Sequence, residues 1–272
     1  MSEARLQSDM VTRHPFNREF HWQAAPSAPR FLTPEQAAEF DANGFVKLKA
    51  AISPAELAAV EAAIAPFDAA SEEAVRTQGD GRIALSNSGT INFSVHLVRH
   101  SEVLRQFARH PAITAVCRDL MGPRVRLYWD QSVYKKAEKP REFPWHQDNG
   151  YTFVEPQQYL TFWIPLVDVD EQNGCPWIAP GYHKLGTLAH WPTKYGLKCL
   201  EDAEKAVAVP AKAGDLIVFS SLAPHRTGPN LKAGTVRKAY ILQYAHDGAT
   251  ALKEDGTRTS LDDPERQFLV TG

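Results

Sequence analysis

Two hydrophobic rhythms divide the chain. Between residues 33 and 122 apolar positions recur at helical spacing, and from Val125 onward they crowd into short β-branched and aromatic runs. Thr33-Pro34-Glu35-Gln36 is a capping box with proline at the first helical position, and Asn43-Gly44 supplies the stop before the strand-like Phe45-Val46-Lys47-Leu48. Ser53-Pro54-Ala55-Glu56 repeats the device and opens an alanine-rich helix through Leu57, Val60 and Ile64, which the pattern ends near Pro66. Two further helices are predicted at about 101–109 and 112–121, the second closed by Gly122. The polar, glycine-punctuated stretch 79–94 reads as a surface loop or lid.

Strand-like runs follow at 125–134, 159–166, 177–179, 216–219 and 236–244, with no helical period between them. Such a series predicts a sandwich or a barrel with the amino-terminal helices packed on one face. Residues 183–206 have no clear period and read as an insertion near the mouth of the site, and the last 25 residues as a polar surface tail. Residues 1–30 mix Pro15, Pro26 and Pro29 with charges, which predicts an irregular arm whose Phe16, Phe20 and Trp22 pack onto the body. No repeat or linker splits what remains, so 31–272 is expected to form a single domain.

Composition narrows the partners. With 43% apolar residues in 272, the chain can bury a sizeable core. A formal charge of −2 with interspersed Lys and Arg gives no basic stripe, which argues against nucleic acid or an anionic membrane and for a small-molecule partner. Cys117, Cys175 and Cys199 are widely spaced, odd in number and lack any C-x-x-C, which points to a reducing compartment. There is no amino-terminal apolar h-region and no run of about 18 apolar residues, so a cytoplasmic protein is expected.

The candidate chemistry centres on Phe143-Pro144-Trp145-His146-Gln147-Asp148-Asn149-Gly150-Tyr151. On a strand or its edge, His146 and Asp148 point to one face, and an imidazole with a carboxylate and no thiolate suits a borderline metal such as Fe(II). A short motif of this kind also arises by chance. His100-Ser101-Glu102 is such a case, because Ser101 reads as the N-cap of a helix through Val103, Leu104 and Phe107. A third ligand is offered by His225, which follows the strand that begins after Gly214-Asp215 and sits beside a turn. Twelve residues on, Arg237 opens the next run. If the two strands are antiparallel neighbours, His225 and Arg237 line one cavity, and an inward guanidinium calls for a carboxylate. Taken singly, His225 is a turn histidine, Arg237 a surface ion pair and Trp163 a core residue; only their company changes that reading.

Together these residues resemble the phytanoyl-CoA dioxygenase group of Fe(II)/2-oxoglutarate oxygenases. The likeness runs over roughly residues 33 to 247 and rests on six elements in one order. They are His146-x-Asp148, Trp163 in Thr161-Phe162-Trp163-Ile164-Pro165-Leu166, Asn173-Gly174 with Pro180-Gly181-Tyr182-His183, Gly214-Asp215, His225-x-Thr227-Gly228-x-Asn230, and Arg237-Lys238. The resemblance implies a mainly β fold with helices, its core a double-stranded β-helix (jelly roll, cupin-like). It implies Fe(II) on His146, Asp148 and His225, and 2-oxoglutarate as cosubstrate with its distal carboxylate on Arg237, flanked by Thr227 and Trp163. The implied reaction consumes O2 and 2-oxoglutarate, releases succinate and CO2, and hydroxylates or otherwise oxidises a C–H bond of a small molecule.

The chain departs from some members, which carry a lysine near the cosubstrate in the stretch that here reads Ile91-Asn92-Phe93-Ser94-Val95. Related halogenases replace the triad carboxylate with a small residue, whereas Asp148 is present, so C–H oxidation is expected instead. Gln131, Tyr151, Phe153 and Trp177 are the candidate substrate contacts, and the aromatic residues among them favour a partly apolar molecule. No cluster of Lys and Arg suits the phosphates of coenzyme A. Two rival readings are a cupin-like zinc or manganese enzyme that needs no 2-oxoglutarate, and a small-molecule-binding barrel without turnover.

Overall fold

The computed structural model describes residues 11–25, 28–79 and 81–272. Its framework comprises helices α1 (Pro34–Asn43), α2 (Pro54–Thr77), α3 (Glu102–Phe107) and α4 (Pro111–Met121), with strands β1 (Phe45–Leu48), β2 (Ile91–Val95), β3 (Val125–Lys136), β4 (Phe143–His146), β5 (Leu160–Pro165), β6 (Pro176–Ile178), β7 (Leu216–Ser220), β8 (His225–Thr227) and β9 (Val236–His246). A nine-stranded sheet runs through β1-β7-β5-β9-β3-β2, and a four-stranded sheet contains β6-β8-β4. Both are antiparallel, and they face each other as a jelly roll.

The unbroken apolar runs have a simple cause: both faces of the large sheet are buried. Phe162, Ile164, Tyr240, Leu242 and Tyr244 point outward, against Val60 and Ile64 of α2 and Ile113 and Val116 of α4. Trp163, Ala239 and Ile241 alternate with them and point inward, meeting Phe143 and Ile178 from the small sheet and Cys175 just before it. Full burial of each large apolar side chain contributes about 1.5–3 kcal/mol.

The N-terminal helix signals hold in detail. Thr33 and Ser53 each form a complete capping box. Gly44 ends α1 at φ +80°, and a Cβ there would lie 2.6 Å from His183 Nδ1, so both backbone and space require glycine. Ser101 is an N-cap that accepts from Leu104 N–H, which disposes of the His100-Ser101-Glu102 match.

Several expectations are corrected. Helix α2 does not end near Pro66 but runs on to Thr77. An interior proline costs about 3 kcal/mol, yet Phe67 and Val75 carry the buried face onward, so packing outweighs the lost backbone bond. The loop predicted over 79–94 is shorter, because 91–95 is strand β2. Its polar residues turn toward α2 and are satisfied there: Asn92 donates to the Asp68 carboxylate at 2.7 Å and accepts from Ser71 at 3.0 Å. Nor are the last 25 residues a tail. Thr250–Leu252 bridges Arg258–Ser260 and Phe153–Glu155, and Leu269–Thr271 pairs with β3. Buried Leu261 and Phe268, the latter under the Arg105 and Arg109 guanidiniums, anchor that segment.

The arm packs as its aromatic residues suggest. Trp22 donates to Asp41 at 2.6 Å and meets His183 edge-on, Phe20 lies against Gly186, and Phe16 meets Phe153. Pro26 lies outside the described residues.

Candidate metal centre

His146, Asp148 and His225 converge, their ligating atoms all within 4.8 Å of one another. The route differs from the strand-face argument. His146 is the last residue of β4, Asp148 begins a single 3-10 turn (Asp148–Gly150), and His225 opens β8 in register opposite His146. Gln147, between the two ligands, is completely buried and fixes the turn. Its side chain donates to the Gly186 and Leu222 carbonyls and accepts from Leu188 N–H, while its own N–H donates to His190 Nε2 at 2.9 Å.

The imidazoles are already in the ligating tautomer. His146 Nδ1 lies 2.8 Å from the Pro144 carbonyl and His225 Nδ1 lies 3.0 Å from the Ala223 carbonyl; both oxygens can only accept, so each Nδ1 carries the hydrogen and each Nε2 a bare lone pair. Each Nε2 is 3.8 Å from Asp148 Oδ1. The other carboxylate oxygen accepts from Thr161 Oγ1 at 2.5 Å, and Gln243 also bonds the carboxylate. Burial lowers the pKa of His146 to about 3, the neighbouring His225 adding to it and Asp148 opposing it, and burial lowers that of His225 to about 4. Burial acts the other way on Asp148 and raises it, against the hydrogen bonds that favour the carboxylate. Two neutral imidazoles and one acid, with a shared gap between them, suit a divalent ion.

Arg237 lies in the same interior, although not on a strand beside His225: β9 belongs to the large sheet and β8 to the small one, facing it. The guanidinium is 1% exposed. It donates to the Val133 carbonyl at 3.0 Å and sits 5.3 Å from the Trp163 ring centroid, while its Nε is buried without a partner. Burial pushes its pKa down to about 9, so it stays charged at neutral pH. A buried cation with an unused donor fits a carboxylate. An inner recess of about 50 Å³ is lined by the three ligands together with Arg237, Trp163 and Thr227. A water needs roughly 10–15 Å³ on that scale, so the recess takes a slender chain rather than a ring.

Sequence reasoning missed Thr161, Gln243 and Lys135. Gln243, a lone amide in the apolar run of β9, was the available signal. Lys135 stands opposite both Arg237 and Ile91 in register, one strand away from the stretch where some family members carry lysine. Its amine nitrogen, whose pKa burial pushes well below the ordinary lysine value, donates to the Thr227 and Gly228 carbonyls, 2.9 and 2.7 Å away, and so ties down the end of β8. Glycine is needed beside that end: a Cβ on Gly174 would lie 2.5 Å from the Gly228 oxygen.

An outer cavity of about 300 Å³ adjoins the recess, and Gln131 and Tyr151 both line it. Phe153 and Trp177 line neither space. Phe153 faces the arm, stacked 4.8 Å from His14, and Trp177 lies on the Arg226 guanidinium, which also covers Trp145. Both are aromatic residues next to inward-facing positions, and strand alternation turns them outward. A larger groove of about 830 Å³, lined by Trp22, Gln158 and Arg258 among others, lies away from the three ligands.

A family model described as phytanoyl-CoA dioxygenase matches residues 40–239. The chain belongs to the phytanoyl-CoA dioxygenase family. It is thus an oxygenase of the iron- and 2-oxoglutarate-dependent kind. An ectoine dioxygenase of Bordetella parapertussis is 25% identical over 227 residues, covering 74% of this dioxygenase and 71% of the relative. Phytanoyl-CoA dioxygenase 1 of Oryza sativa is 24% identical over 74% of this chain and 84% of its own. Among solved structures, the carbocyclase SnoK from nogalamycin biosynthesis superposes with a TM-score of 0.68, at 22% identity, over 90% of this chain and 100% of its own. EctD from S. alaskensis with 2-oxoglutarate and 5-hydroxyectoine gives 0.66 at 24% identity, over 91% and 86%. Those likenesses establish the shared fold. No helix among the described residues is long and apolar enough to cross a membrane.

Proposed function

We propose that this family member hydroxylates, or otherwise oxidises at a C–H bond, a small and partly apolar organic molecule, with His146, Asp148 and His225 holding Fe(II) and Arg237 holding the distal carboxylate of 2-oxoglutarate. One oxygen atom of O2 enters succinate as 2-oxoglutarate loses CO2, and the other enters the substrate in a hydroxylation or leaves as water, with two substrate hydrogens, in any other C–H oxidation. The observation that carries the reading is the pairing of two bare Nε2 atoms and a carboxylate with an under-bonded buried guanidinium in one recess.

Bound Fe(II) supplies the activation of dioxygen. The chain's own residues supply position. The Nδ1–H bonds to Pro144 and Ala223 hold each imidazole in its plane, Thr161 holds Asp148 Oδ2, and Gln243 also bonds the carboxylate, so that the group is fixed with Oδ1 facing the two imidazoles. Arg237 and Trp163 orient the diacid from the far end. Phe143 and Tyr151 pack edge-on against His146 and flank the metal-binding face. Because Asp148 is retained, halogenation is disfavoured.

The test is succinate release from protein supplied with Fe(II), 2-oxoglutarate and air. Slow turnover without added substrate, lost in His146→Ala, is the expected result. No succinate from the unaltered protein, with any candidate substrate, would contradict the assignment.

A further inference from the structure

The outer cavity has a character that the metal chemistry does not require. Apart from His146 and Asp148, its lining among the described residues contains no Lys, Arg, His, Asp or Glu, and half of those twelve residues are aromatic. An anion pressed against Phe93, Tyr128, Trp129 and Phe143 would lose its hydration without gaining a counter-charge, and a cation, although drawn to ring faces, meets no carboxylate except Asp148, which belongs to the metal-binding set, whereas a neutral ring gains stacking area.

The polar groups are equally particular. The cavity holds two amides, and Gln243 is already engaged with Asp148. Gln131 is oriented by its neighbour on the cavity wall: Trp129 Nε1 lies 3.1 Å from its Oε1, and an indole N–H can only donate, so the amide oxygen must face the indole. The NH2 is left for the cavity, with no protein acceptor among the described residues. Gln131 also lines the inner recess, so its donors stand at the junction, next to the metal-binding side chains.

We propose that the outer cavity binds an uncharged, ring-bearing molecule that offers a carbonyl or hydroxyl oxygen to the Gln131 amide, with Trp129 as the positioning residue that keeps the amide in its donor orientation. The inference rests on the oxygenase reading for what happens next, and it places the oxidised C–H bond on the same edge of the molecule as that oxygen. Small anions and zwitterions are disfavoured by the same lining, since a carboxylate inside the outer cavity meets no cationic side chain.

The test is binding, measured by equilibrium dialysis on the full chain loaded with Mn(II) and 2-oxoglutarate, so that no turnover intervenes. The probes share one ring system: 2-acetonaphthone (neutral, with an acceptor), 2-ethylnaphthalene (neutral, without one), 2-naphthoate (anionic) and 2-naphthylmethylammonium (cationic). The ketone is expected to bind at least about tenfold more tightly than either ion, and several-fold more tightly than the hydrocarbon. Gln131→Leu should remove the preference for ketone over hydrocarbon while the hydrocarbon still binds. Trp129→Phe, which deletes the indole N–H but keeps a ring, should weaken that preference in part. Equal binding of naphthoate and ketone, or an unchanged ketone preference in Gln131→Leu, would overturn the inference. Retention of 2-oxoglutarate in the same dialysis cells keeps the two readings apart: its absence would sink the oxygenase assignment, while its presence alongside indiscriminate probe binding would sink only the present one.

Discussion

The inner recess contains the Arg237 guanidinium, a full positive charge, buried and short of partners, whereas the described lining of the outer cavity carries no charge beyond Asp148, which the two spaces share. The two spaces share Phe93, Gln131, Phe143, His146 and Asp148, so the contrast arises within a few side chains. It teaches where each kind of selectivity is stored. A cosubstrate that never varies is gripped by charge, which is strong and indifferent to the rest of the molecule. The substrate is sorted by ring faces and one oriented amide, which are weaker individually and sensitive to shape.

The contrast can be broken most severely at its boundary. His146→Ala or Asp148→Ala removes a metal-binding side chain that lines both spaces, and succinate release should fall to the no-enzyme background while the circular dichroism stays native. Next comes the charged side alone. Arg237→Gln should raise the KM for 2-oxoglutarate by about a hundredfold, in line with roughly 2–5 kcal/mol for one partner of a buried charge pair, and Arg237→Lys should recover only part because an ammonium cannot grip bidentately. A smaller effect is expected one step behind the ligands. Thr161→Val frees an Asp148 oxygen and should weaken metal binding by about 10–100-fold, read by titration with Mn(II), leaving the relative order of neutral and charged ring probes unchanged.

The mildest prediction concerns pH. Burial shifts seven described histidines downward, among them His96, His183 and His190, each to about 4 from an ordinary 6.5. Between those values the unfolded chain binds protons that the folded chain refuses, so this stabilisation is complete above about 6.5 and is lost as pH falls toward 4. Asp68, Asp130 and Asp148 are raised by burial and act in the opposite sense, Asp130 between its ordinary 3.8 and about 6. The histidines outnumber them, so urea unfolding of the metal-free protein should show a lower midpoint at pH 5.5 than at pH 7.5.

The charged side of the site was legible in the sequence and the neutral side only partly. His146, Asp148, His225 and Arg237 are residue types that are conspicuous beside turns and at strand starts, and the strand runs around them follow from period and turn residues alone. Phe153 and Trp177 looked equivalent to Tyr151 because an aromatic residue reads the same whether it faces a cavity, a guanidinium or the arm. Which way it turns depends on register, and register depends on the partner strand. Pro66 and the carboxy-terminal strands misled for a related reason. Local breakers and sparse apolar residues are outvoted by contacts with segments far away in the chain, Phe268 under Arg105 and Arg109 being the clearest.

The central claim is that the metal ligands and Arg237 grip a single diacid between them. Calorimetric titration of 2-oxoglutarate into Mn(II)-loaded protein, with glutarate as the chain lacking the keto oxygen, tests it directly. Tight one-to-one binding of 2-oxoglutarate, much weaker binding of glutarate, and loss of most of the affinity in Arg237→Gln is the predicted outcome. Undiminished affinity in Arg237→Gln, or equal binding of the two diacids, would contradict the account.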